Sequence, residues 1–206
     1  MKIVCLGDSL TYGYGVPRRR NWVSLTAART GFEMVNRGVN GDTSGGMLAR
    51  LGALIGEDRP DLLLAMGGLN DLMIGVSVKT ICANLFAIAF QSANKGVQPV
   101  LAIPPMGPAS GQAHRSGLFS DFTGEEGEKR RSLYREYAEW LRKLASVENF
   151  WLVDLERVLD GEDGMPQAAF FCDGVHPSEE GHERIARAVS ETLAGRLCGE
   201  RGARGS

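Results

Sequence analysis

Lys2-Ile3-Val4-Cys5-Leu6-Gly7-Asp8-Ser9-Leu10 decides how the chain is read. Its first five residues are nearly all apolar, the composition of a short strand buried on both faces of a parallel sheet. Gly7 permits a sharp exit, and the serine then lands at the carboxyl edge of that sheet. In open α/β sheets this edge is where ligands bind. Gly-Asp-Ser is also ordinary turn chemistry, so the triplet alone leaves both a turn and a nucleophile open. The far end of the chain adds Asp173-Gly174-Val175-His176, an acid and an imidazole three residues apart. Serine, acid and histidine are together the parts needed for nucleophilic acyl transfer.

Outward from the first strand, short apolar runs alternate with amphipathic segments, the pattern of a parallel sheet covered by helices on both faces. Asn21 is placed to cap a helix from Trp22 that ends at Gly31, and 33–36 reads as a second strand. Thr43 or Ser44 caps a helix stopped by Gly56, and 61–66 is a third strand. Ser77 opens a helix ended by Gly96, with Ile81, Cys82, Leu85, Phe86, Ile88 and Ala89 at helical spacing. A fourth strand follows at 99–103, a helix at 125–147, a fifth strand at 150–155, and a final helix from Pro177-Ser178 to about Leu197. Short connections and right-handed crossovers make a doubly wound, flavodoxin-like sheet of five parallel strands in the order 2-1-3-4-5 the economical topology. Ser9 then stands beside the topological switch point. One domain is expected over 1–198, with a glycine- and arginine-rich tail at 199–206 that frays.

Segment 104–127 breaks the rhythm with Pro104, Pro105 and Pro108. It leaves the fourth strand at the same edge as Ser9, and long irregular loops at such edges usually serve binding. Its scattered apolar residues Met106, Leu118, Phe119 and Phe122 are expected to border an open acyl groove suited to short or medium chains.

Composition narrows the function classes. The chain has 206 residues, 43% hydrophobic and 23% charged, as in an ordinary globular domain. A formal charge of -2 provides no general positive field for a nucleic-acid partner. Arg18-Arg19-Arg20 and Lys129-Arg130-Arg131 read as solvated surface, although the first follows the serine closely enough to recruit an anionic group. Cys5, Cys82, Cys172 and Cys198 show no Cys-x-x-Cys spacing or disulfide framework and fit a reducing compartment. No early apolar run has the length of a signal peptide, and no window has that of a membrane span. A cytoplasmic protein without stable membrane insertion is the expectation. No metal-ligand cluster or cofactor motif is present; Gly13-Tyr14-Gly15 continues into Val16-Pro17-Arg18 and fails the dinucleotide fingerprint.

Two more segments follow strands and so project from the same edge: Gly38-Val39-Asn40-Gly41-Asp42-Thr43-Ser44 and Gly67-Gly68-Leu69-Asn70-Asp71. Acyl transfer needs donors aimed at the oxygen that becomes negative. Gly41 can offer an unobstructed backbone N–H, and Asn70 a neutral amide donor. Both segments are equally readable as turns or helix caps. Among the histidines, His114 lies in the long irregular segment and His182 within the last helix, where a surface position is expected. His176 remains as the base, with Asp173 able to orient its ring.

In these blocks the chain resembles the GDSL family, the SGNH hydrolases named for Ser, Gly, Asn and His, and especially its bacterial lysophospholipase/arylesterase branch. Gly7-Asp8-Ser9-Leu10, the Gly41 segment, Gly68-Leu69-Asn70-Asp71 and Asp173-Gly174-Val175-His176 occur in family order. The resemblance implies an SGNH hydrolase domain in which Ser9 is the nucleophile, His176 the base and then acid, and Asp173 its partner. It also implies an oxyanion hole from the N–H groups of Ser9 and Gly41 and the Asn70 side chain. The substrate expected is a small-molecule carboxylic ester, with a lysophospholipid or thioester within range. A carbohydrate O-deacetylase of the same family is the alternative, and a non-catalytic ligand-binding module a more distant one. The Gly-x-Ser-x-Gly elbow of ordinary α/β-hydrolases is absent.

Overall fold

The computed structural model describes residues 1–108 and 124–203. Five parallel strands, β1 (Lys2–Gly7), β2 (Glu33–Gly38), β3 (Leu62–Met66), β4 (Gln98–Ile103) and β5 (Trp151–Asp154), form one sheet. Their order is β2-β1-β3-β4-β5, as the sequence pattern predicts. The register pairs Val4 with Val35 on one side and with Leu63 on the other. Both neighbours of β1 therefore shield it, and Ile3 to Leu6 are wholly buried. Burying continuous apolar strands on two faces is what demands helices on both sides.

Among the described residues seven α-helices surround the sheet: α1 (Ser9–Tyr12), α2 (Trp22–Thr30), α3 (Ser44–Asp58), α4 (Leu69–Met73), α5 (Val78–Asn94), α6 (Gly124–Val147) and α7 (Glu179–Ala203). The predicted caps are found. The side chains of Asn21, Thr43 and Ser77 accept from the N–H groups of Ser24, Gly46 and Thr80, satisfying first-turn donors that a helix cannot pair internally.

Strand limits shift by one or two residues, the short helices α1 and α4 stand where turns were expected, and two long helices run past their expected ends. The third helix does not stop at Gly56 but continues to Asp58, closing on Arg59 at φ 47°. Its last residue is buried and paired to Arg37 on β2 through two hydrogen bonds of 2.6 and 2.8 Å, a tertiary contact that outweighs the low helix propensity of one glycine. The final helix runs to Ala203, past the expected end near Leu197. Of the residues expected to line an acyl groove, Met106 is buried, whereas Leu118, Phe119 and Phe122 lie outside the described residues, as does His114. No helix among the described residues is long and apolar enough to cross a membrane.

Candidate active site

The chain leaves β1 at Gly7 and enters the four-residue helix α1 at once. Asp8 caps that helix, its Oδ1 accepting from Leu10 N–H at 2.9 Å. A helix this short pairs almost none of its own groups, so its carbonyls must find partners elsewhere. They do so from three directions. Ser9 O accepts from the N–H groups of Gly13 and Tyr14, Leu10 O from Trp22 Nε1, Thr11 O from Asn36 Nδ2 and Tyr12 O from Asn21 Nδ2. Ser9 thus rides on a small element clamped by α2 and β2, and only 8% of its surface is exposed. Its N–H, in the first turn, has no partner within the helix.

His176 and Asp173 arrive on the loop before α7. Asp173 Oδ1 accepts the N–H groups of Val175 and His176 at 3.0 and 2.8 Å, which folds the loop tightly around the carboxylate. Its other oxygen lies 2.7 Å from His176 Nδ1, and His176 Nε2 lies 3.0 Å from Ser9 Oγ. Serine, imidazole and carboxylate therefore form one continuous chain of contacts. Burial pushes the Asp173 carboxyl up, but the backbone N–H and ring of His176 and the N–H of Val175 outweigh it and hold it below the ordinary range. An ionised carboxylate is the form that fixes a proton on Nδ1 and leaves Nε2 as acceptor.

The Gly41 and Asn70 segments are tied to this centre by side chains. Arg50 on α3 donates to Gly7 O at 2.9 Å and to Asp42 Oδ2 at 2.8 Å. Asn70 Nδ2 donates to Asp42 O at 2.8 Å, leaving its second amide hydrogen available. Asp71 accepts from the N–H and hydroxyl of Ser44 at 2.8 and 2.6 Å, locking the start of α3 to that of α4. The four blocks read from the sequence thus converge at the carboxyl edge of the sheet, and Gly41 makes no hydrogen bond within the described residues that would occupy its N–H.

Several further residues around this centre were given no role by the sequence pattern. Asp8 is buried beside Asp42 and Asp71; burial first, and those two charges in addition, push its carboxyl up to about 7 despite the Leu10 N–H. His182, expected at the surface, is wholly buried. Its Nδ1 accepts Trp22 N–H at 3.3 Å, and burial and then the neighbouring His176 push it down to about 4, so the ring is neutral. The signal was present in the spacing: residues 182, 185, 186, 189 and 193 form one helical stripe, and Ile185, Ala186, Val189 and Leu193 are fully buried. Gly107, just past β4, lies so close to the Asp173–His176 loop that a Cβ there would overlap Gly174 O. Arg131 on α6 holds Gly107 from behind, donating to its carbonyl at 3.2 Å. The Tyr14 ring packs against that of His176. Among the described residues no three His, Cys, Asp or Glu side chains cluster as metal ligands.

The chain matches the GDSL-like Lipase/Acylhydrolase family over residues 5–184. It belongs to that family, and with it to the carboxylic ester hydrolases. It is similar to an arylesterase of Vibrio mimicus, with 29% identity over 201 residues that cover 95% of this chain and 90% of the relative. It is also similar to esterase TesA of Pseudomonas aeruginosa, 26% identical over 93% of this chain and 87% of the relative. A solved structure from Desulfitobacterium hafniense described as a putative lipolytic protein of the G-D-S-L family superimposes with a TM-score of 0.76. It covers 93% of this chain and 98% of that one at 21% identity, a likeness of fold.

Proposed function

We propose that the chain hydrolyses carboxylic esters of short to medium acyl length through an acyl-enzyme on Ser9. The observation that carries this reading is the unbroken line Ser9 Oγ, His176 Nε2, His176 Nδ1, Asp173 Oδ2, with contacts of 3.0 and 2.7 Å at its two ends. His176 Nε2 takes the Ser9 proton as Oγ bonds to the ester carbonyl carbon. The negative oxygen that forms is met by the N–H groups of Ser9 and Gly41 and by the free amide hydrogen of Asn70. Collapse breaks the bond to the alcohol oxygen, which leaves with the proton from His176. Water, deprotonated by the same ring, then releases the acid and restores Ser9. Asp173 stabilises the imidazolium in both halves.

An ester substrate agrees with the names of the two relatives, an arylesterase and an esterase. The four cysteines are free, Cys5 and Cys82 being buried, and this supports a reducing compartment. The test is hydrolysis of p-nitrophenyl esters of increasing acyl length, with an acetylated sugar beside them, by the wild type and by Ser9→Ala. Turnover of the short esters should fall by up to about a million-fold in the variant, the scale of loss when a catalytic serine is removed. Equal rates in both proteins would refute the proposal, and turnover of the acetylated sugar alone would replace the substrate class.

A further inference from the structure

We infer that Tyr14 is a positioning residue for His176, restraining the tilt of the imidazole; this rests on the acyl-transfer reading above. The ring makes two hydrogen-bond contacts, through Nδ1 at 2.7 Å and Nε2 at 3.0 Å. They restrain the ring at its two nitrogens, and a neighbouring aromatic ring adds a further restraint on its tilt. Tyr14 supplies that contact, its ring centroid 4.6 Å from that of His176 at an interplanar angle of 45°. That separation is within the range of attractive aromatic pairs.

The backbone places Tyr14 there with little freedom. Its N–H donates to Ser9 O at 3.1 Å, so the ring is anchored to the helix that carries the serine. Gly13 and Gly15 on either side both take φ 85°, a left-handed conformation that glycine adopts without strain. A Cβ at Gly15 would sit 3.4 Å from Sγ of Cys172, the neighbour of Asp173. The turn is therefore seated between the serine helix and the acid–base loop, and Tyr14 bridges them. Core burial does not explain the residue, since 49% of it is exposed. Its hydroxyl makes no hydrogen bond within the described residues, so the ring is the part that acts.

The same contact has a second consequence. While His176 carries the serine proton it is a cation beside an electron-rich ring, a contact that strengthens only in the transition state. Losing it therefore lowers kcat and leaves KM in place.

The experiment measures p-nitrophenyl acetate hydrolysis by the wild type, Tyr14→Phe, Tyr14→Leu and Ser9→Ala, with circular dichroism to show that each is folded. Tyr14→Leu should lose on the order of tenfold in kcat at unchanged KM. Tyr14→Phe, which keeps the ring, should stay close to the wild type. An active wild type with an equally fast Tyr14→Leu overturns this inference alone. So does a loss confined to KM, which would make Tyr14 a substrate contact, or a loss in Tyr14→Phe as large as in Tyr14→Leu. A wild type no faster than Ser9→Ala overturns the acyl-transfer reading and this inference with it.

Discussion

Replacing Asp8 by Asn should stabilise the protein, increasingly so as pH rises. Asp8 is 1% exposed, and its carboxyl accepts from Leu10 N–H, a bond that an asparagine oxygen can equally accept. What the substitution removes is the cost of a charge beside Asp42 and Asp71. Burial, then those neighbours, raise the carboxyl from 3.8 to about 7 in the fold. A group raised in this way favours the fold most below its unfolded value, and that contribution is lost as pH climbs through the folded value. Each unit of difference is worth about 1.4 kcal/mol, so the wild type carries a penalty of about 4 kcal/mol at pH 8 and under about 2 kcal/mol at pH 5. The stability gap between Asp8→Asn and wild type should therefore widen by roughly 2–3 kcal/mol between these conditions. Urea unfolding of both proteins at pH 5 and pH 8 measures it, provided the denaturant slopes match. A gap of the same size at both pH values would show that Asp8 does not resist ionisation in the fold.

Asn70→Ala should lower kcat by roughly 10²–10³ with little change in KM, because the donor meets a charge that exists only in the transition state. Steady-state kinetics checks this, and a loss wholly in KM would make Asn70 a ground-state contact. Gly107→Ala should lower kcat by on the order of 10²-fold while the protein stays folded, because its Cβ displaces Gly174 and with it the Asp173–His176 loop. Unaltered kcat in that variant would mean the loop accommodates the methyl group without moving the ring.

The strand order and the convergence of four short blocks at one edge were legible because both rest on local rules. Apolar runs such as 2–6 and 62–66 mark buried strands, and loops that follow parallel strands share a side. The burial of His182 was legible too, had the stripe through Ile185, Val189 and Leu193 been extended back one turn. What local rules do not carry is approach between distant segments. Asp8 is raised by Asp42 and Asp71, the Tyr14 ring meets a histidine from the far end of the chain, and Gly107 touches Gly174. Gly56 looked like a helix stop for the same reason, since the salt bridge of Asp58 to Arg37 that prolongs α3 joins residues on different elements.

Covalent trapping of Ser9 tests the central claim most directly. Incubation with excess fluorophosphonate followed by intact mass spectrometry should show a single adduct on the wild type, mapped by proteolysis to the peptide bearing Ser9. It should show none on Ser9→Ala. An unmodified wild type, or an adduct retained by Ser9→Ala, would contradict the assignment of Ser9 as the nucleophile.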